Sequence, residues 1–190
     1  MRAISEYTPG RFVLAALGVL ALGIGACGDD PVAYSETVSL KLSGLKNGDI
    51  KNGQAEEEKE ISTESGNPYG EFLKNAKAAL GGKDPGAIEL VSAFVRVHSD
   101  SKNVSALEAV FTSLELFLTT SNTTLPVGTV ANPSGTSVAV TLDENIDYEP
   151  IFANLLAGSF KGGVRGPTVA TPPADFDLRL TLDLKFTAYE

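Results

Sequence analysis

The side chains able to do chemistry are few. The 190 residues include one His, one Cys and one Met, and no Trp. One His with one Cys cannot build a Cys/His zinc site, and a single Cys cannot close an internal disulfide. His98-Ser99-Asp100 holds the three residue types of a hydrolase triad. Consecutive residues cannot serve one another as nucleophile, base and orienting carboxylate, and no Gly-x-Ser-x-Gly elbow supplies a distant serine for His98. Asp143, Glu144 and Asp147 gather oxygen ligands of the kind that bind Ca²⁺, without EF-hand spacing. Loop solvation and helix capping account for them better. The run Glu56-Glu57-Glu58-Lys59-Glu60 reads as a solvated edge or loop. Gly158 and Gly162-Gly163 flank Lys161 without the Lys-Ser/Thr of a phosphate-binding loop. A carbohydrate platform would fall to Tyr34, Tyr69, Tyr148 or Tyr189. The sequence specifies no catalytic residue, no metal ligand and no cofactor.

Charge narrows the partners. The chain carries 15 Lys+Arg against 24 Asp+Glu, a formal net charge of −9. Nucleic-acid binding requires clusters of Lys and Arg to neutralise phosphates, so an acidic chain of this kind is not expected to bind it. Hydrophobic residues at 43% are ordinary for a globular domain.

The N-terminus gives the sharpest signal. Arg2 and Arg11 precede an uninterrupted small and apolar run from Phe12 to Ala26. At about 15 residues the run suits a signal-peptide core and falls short of the roughly 20 that span a bilayer as a helix. It ends Leu22-Gly23-Ile24-Gly25-Ala26-Cys27 and turns polar at once with Gly28-Asp29-Asp30-Pro31. An ordinary secretory signal cut after Ala26 would leave Cys27 as an unpaired thiol in a secreted protein.

Leu22, Ile24, Gly25, Ala26 and Cys27 together resemble the lipobox of bacterial lipoproteins. The resemblance implies that residues 1–26 are removed as a signal peptide and that Cys27 carries the acyl chains that fix the protein to a membrane. Two or more chains hold a protein stably where one gives marginal binding. In enterobacterial lipoproteins an Asp directly after the Cys tends to retain the protein at the inner membrane. Gly28 occupies that position here, so the analogy favours the outer membrane.

Residues 27–36 then read as the lipidated Cys and a short tether, and residues 37–190 as one domain. Val38, Leu40 and Leu42 alternate with polar neighbours, as in a half-buried strand. Asn67 as N-cap and Pro68 at the first helical position open a helix whose Tyr69, Phe72, Leu73, Ala76 and Leu80 share a face, ended by Gly81-Gly82. Ile88 to Val97 is apolar on both phases and reads as a central strand. Ser105 to Glu108 imitates a capping box, giving a short helical twist before a strand from about Phe111 to Thr119. Two short strands follow, Leu125 to Ala131 and Ser137 to Leu142. A short helix is expected within Tyr148 to Ala157, capped by Asp147, and a strand over Phe160 to Val164. From Phe176 to Phe186 every second residue is Phe or Leu, which predicts one long strand with one wet face.

The sum is a mainly β chain: an antiparallel, immunoglobulin-like β-sandwich with one or two short helices. Phe111 to Leu118, the Leu125-Pro126 turn, Tyr148 and the terminal strand also resemble uncharacterised β-sandwich lipoproteins of Gram-negative bacteria, a likeness that implies a fold without an activity. A transmembrane barrel would need more than one strand of sustained alternation. The expected function is a lipid-anchored, non-catalytic binding or structural module whose partners are the membrane, through its acyl chains, and an envelope protein. An accessory subunit of an envelope assembly or transport machine ranks second, and a hydrolase using His98 third.

Overall fold

In a computed structural model the described residues are 32–61 and 67–190. Leu22, Ile24, Gly25, Ala26 and Cys27 lie outside them.

Alternating sequence makes strands here, and two sheets bury their apolar phases against each other. The first sheet runs β1 (Ala33–Lys41), β11 (Leu180–Tyr189), β4 (Ala87–Val97) and β7 (Ser137–Ala139), in that spatial order. The second runs β3 (Gln54–Ile61), β9 (Phe160–Pro167), β5 (Ser113–Thr119), β6 (Thr124–Ala131) and β8 (Thr141–Leu142). A ribbon of β2 (Leu45–Lys46) and β10 (Asp177–Leu178) extends one end. Every pairing is antiparallel. The fold is mainly β, an antiparallel sandwich with two helices, as the alternation predicts.

The core is continuous between the sheets. Val38, Leu182, Leu184 and Phe186 from the first sheet, and Leu116, Leu118 and Val164 from the second, are all buried. Gly162 of β9 leaves room where Leu184 and Leu118 meet: a Cβ there would lie 3.6 Å from Leu184 Cδ1 and 3.8 Å from Leu118 Cδ2.

Helix α1 (Pro68–Ala79) begins as its sequence specifies, with Asn67 Oδ1 accepting the Tyr69 N–H at 2.9 Å. It buries Tyr69, Phe72 and Ala76. The Tyr69 ring meets Phe160 of β9 edge-on at 4.9 Å and Phe186 of β11 at 5.2 Å, so one aromatic from the helix joins both sheets. Edge-to-face pairs of this kind add about 0.5–1.5 kcal/mol each beyond area burial. The Tyr69 hydroxyl is satisfied by donating to Leu155 C=O in α2 (Phe152–Ala157) at 2.9 Å.

Two expectations need correction in detail. Ser137 to Leu142 is not one strand: Val140 turns into the core and divides it, giving β7 to the first sheet and β8 to the second. The terminal alternation is likewise divided at Arg179, because residues 177–178 pair with β2 and only Leu180 onward pairs with β1 and β4. The double apolar phase of β4 has a local cause. Leu90 pairs with Phe186 and Ser92 with Lys185, leaving Val91 as an extra, unpaired residue. This bulge shifts the inward phase from Ile88 and Leu90 to Ala93 and Val95. Val91 and Phe94 are left exposed, at 41% and 45%.

Candidate functional site

His98, Ser99 and Asp100 follow the end of β4 and form a turn, not a triad. The Asp100 N–H donates to His98 Nδ1 at 3.1 Å, and the Asp100 carboxylate is bound to Lys41 Nζ at 2.7 Å. The hydrogen bond from Lys41, reinforced by its charge, holds the Asp100 carboxyl below the usual range. Ser101, in the same turn, has a hydroxyl with a defined role. Its Oγ accepts from the Arg179 N–H at 3.0 Å and donates to the Arg179 C=O at 3.1 Å. A hydroxyl engaged on both sides by backbone closes the gap between β10 and β11; it is not presented to a base.

The other sequence candidates are scattered. Gly158 is a left-handed helix terminus, with φ of 62°, that ends α2. Gly162 and Gly163 lie inside β9, and Lys161 pairs with Glu58 of β3. Tyr69 is fully buried, and Tyr34 donates to Glu36 at 2.8 Å beside α1. The four tyrosines therefore do not form a common platform. Asp147 Oδ1 accepts the Glu149 N–H at 3.0 Å, a turn bond two residues on. It is not the expected helix cap, because Tyr148 precedes the 3-10 turn Glu149–Ile151 and Ile151 precedes α2, neither with a side-chain cap. Among the described residues no group of three His, Cys, Asp or Glu side chains converges to hold a metal.

The one tyrosine whose surroundings suggest binding is Tyr148. The outer edge of β4 is paired with β7 only at Phe94, Val95 and Arg96. Next to that stretch the Ala93 C=O accepts the Val140 N–H at 2.9 Å, and ahead of Ala93 no strand pairs with this edge among the described residues. At Leu90 the Tyr148 hydroxyl takes a strand's place, accepting from Leu90 N–H and donating to Leu90 C=O, both at 3.3 Å. Burial pushes the Tyr148 phenol up to about 12.

Tyr148 divides the space beside this edge. On one side a cleft of about 340 Å³ lies between Gly86–Glu89 and the segment from Ile146 to Phe152. On the other a smaller one, about 150 Å³, is bounded by Glu89, Leu90, Asp143, Glu144 and Ile146. The larger is within the range of ligand clefts, about 300–1,000 Å³. Its floor is apolar, with Ile88, Ile146 and Phe152. Glu89, Asp147 and Glu149 surround it, and no Lys or Arg lines either cleft. Sequence reasoning placed the Asp143–Asp147 acids in a loop without connecting them to β4. The only signal was the unusual Tyr148 within an otherwise acidic connection.

Comparison with known proteins adds little. No protein family matches the chain, and no curated protein matches it. A solved chain of turnip yellow mosaic virus overlaps 85% of this chain and 95% of its own length, at 11% identity and a TM-score of 0.28. An overlap that loose bears on neither fold nor function.

Proposed function

We propose that this chain is a lipid-anchored lipoprotein of the bacterial envelope whose β-sandwich is a non-catalytic binding or structural module. One observation carries the reading: the apolar run from Phe12 that ends Leu22-Gly23-Ile24-Gly25-Ala26-Cys27. Acylation of Cys27 after removal of residues 1–26 supplies the anchor, and Gly28 rather than Asp at the next position favours the outer membrane.

The position of the first strand fits such an anchor. β1 begins at Ala33, six residues after Cys27. Fully extended, that link reaches about 20 Å, so the domain would sit against its membrane. A binding role, as opposed to catalysis, is supported by the state of the only histidine and of Ser101. The first accepts a hydrogen bond from its own turn, and the second is held by Arg179.

The test is intact-mass analysis of protein recovered from the membrane fraction, beside a Cys27→Ala variant. A chain starting at Cys27 with added acyl mass, absent from the variant, is the expected result. An unmodified chain starting at Cys27 would overturn the anchor.

A further inference from the structure

We infer that two copies of this chain pair edge to edge through β1, antiparallel about Thr37, so that the first sheet of one continues into that of the other. Self-association of this kind goes beyond the anchor and needs no acyl chain.

The hydrogen bonds to β11 show which side of β1 is free. Leu42 N–H donates to Leu180 C=O at 2.9 Å, and Glu190 N–H donates to Val32 C=O at 3.2 Å. Between those bonds the register runs without a shift, from Ala33 opposite Tyr189 to Lys41 opposite Thr181. Bonded residues alternate along an antiparallel strand, so the even-numbered residues face β11. Ala33, Ser35, Thr37, Ser39 and Lys41 turn their N–H and C=O the other way. All five are exposed, β1 ends its sheet, and no hydrogen bond reaches their main chain among the described residues. Helix α1 packs on the inner side of the strand, through Phe72 on Tyr34 and Asn75 on Glu36.

A row of unpaired backbone groups is a template for strand addition, which natural sheets ordinarily cover or blunt. The other edges are blunted: β7 and β8 have three and two residues, and β3 carries Glu56, Glu57, Glu58 and Glu60. β1 has nine residues, no Pro and no bulge, and its five edge residues include one charge, Lys41. The free edge stops at Ser43, whose N–H is taken by the Glu57 carboxylate at 3.1 Å.

The strand's own sequence selects a second copy. A two-fold axis at Thr37 sets Ser35 opposite Ser39, Ala33 opposite Lys41 and Thr37 opposite itself. On the inner face it sets Tyr34 opposite Leu40 and Glu36 opposite Val38. Hydroxyl pairs and aromatic–aliphatic pairs are favourable across strands, whereas like charges directly opposite are not. This register contains no like-charge pair. It also places Val32, 47% exposed at the head of the strand, opposite Leu42 of the second copy. Axes at Ser35 or Ser39 would pair five residues of the strand instead of nine. A strongly charged partner strand finds little to pair with, because the edge side chains are short and neutral apart from Lys41.

The test uses the purified full chain in a neutral detergent with a mild oxidant. Salt at about 0.15 M screens the overall acidity of both copies. Opposed residues of a hydrogen-bonded antiparallel pair have Cα atoms about 5.5 Å apart, within disulfide reach. Thr37→Cys should give a disulfide-linked species of twice the chain mass. Its yield should exceed at least tenfold that of Ala139→Cys, exposed on the opposite edge of the same sheet, and that of the parent, whose one cysteine is Cys27. Ser35→Cys mixed with tagged Ser39→Cys should give mostly the mixed pair. Thr37→Lys, which sets like charges opposite each other at the axis, should lower the average mass toward one chain. It should also speed exchange of the Ser35 and Ser39 amides at least fivefold with circular dichroism unchanged, while Thr37→Val behaves as the parent. Equal yields from Thr37→Cys and Ala139→Cys would overturn the inference. So would Ser35→Cys linking to itself as readily as to Ser39→Cys, or parent and Thr37→Lys amides exchanging at one rate. Acylation is read separately from the chain mass, so failure at β1 and failure of the anchor come from different measurements.

Discussion

The Arg165 guanidinium lies 5.1 Å from the centroid of the Phe117 ring and is tied to Glu115 at 2.5 Å. Phe117 lies on the phase opposite its leucine neighbours, Leu116 and Leu118, yet is only 2% exposed. Its ring occupies the space left by Gly163 on the adjacent strand, where a Cβ would come within 2.6 Å of Phe117 Cζ and 2.7 Å of Glu57 C=O. The glycine, aromatic and guanidinium thus form a small packed layer on the outside of the second sheet. Gly163→Ala should destabilise the protein by about 1–3 kcal/mol, because the strand or the ring must shift. Gly48→Ala, with nothing near its added Cβ, should change stability by less than about 0.5 kcal/mol. Urea denaturation of the two variants distinguishes them.

That layer also shows where sequence periodicity stops being informative. The helix around Phe72 and the register of Leu180 to Phe186 could be read directly, since caps and alternation are local signals. Phe117 and Val91 could not. One is buried on a nominally wet face because a distant glycine makes room; the other is exposed because a bulge consumes a residue of β4. Both depend on the partner strand, which local pattern does not contain. The candidate site has the same character. Tyr148 acquires its role only because β7 is too short to cover Leu90, a fact of tertiary pairing.

Tyr148→Phe should cost about 1–3 kcal/mol, the range for leaving backbone donors and acceptors unsatisfied. Its pH dependence is a second signature. The phenol is raised from its ordinary value near 10 to about 12, so folding favours the neutral form. The associated stability is complete below pH 10 and is lost as the pH rises toward 12. The Phe variant should show a shallower alkaline decline, measured as urea midpoints from pH 9 to 12. An unchanged slope would rule out Tyr148 as its source.

On the acid side the first sheet carries its own titrating pair. Burial raises the Asp183 carboxyl, but hydrogen bonds from Arg96 and Ser39 outweigh it and leave the group below its ordinary value. Arg96 Nε lies 2.5 Å from the carboxylate and Ser39 Oγ 2.6 Å. A depressed carboxyl stabilises the fold above its unfolded value, about 3.9, and that contribution disappears as the pH falls through the folded value. Arg96→Met should raise the Asp183 titration midpoint, followed by carboxyl NMR, and flatten the loss of stability below pH 4. A midpoint that does not move would show that Ser39 alone sets it.

Ser101 supplies the last and most local test. At the junction of β10 and β11 the chain leaves one pairing for another; the Arg179 C=O accepts the His98 N–H at 2.7 Å, while its N–H bonds the Ser101 hydroxyl. The hydroxyl both accepts and donates at Arg179. Removing it in Ser101→Ala takes the partner from the Arg179 N–H, while the C=O keeps the His98 N–H, with an expected loss of about 1–3 kcal/mol. Ser101→Thr keeps the hydroxyl and should recover most of the loss, which a bulk effect of the side chain would not predict. Hydrogen exchange at the Arg179 amide gives the site-specific readout: faster in the Ala variant, and close to the parent in the Thr variant. If the Arg179 amide exchanges at the parent rate in Ser101→Ala, the hydroxyl is not what joins the two halves of the terminal strand.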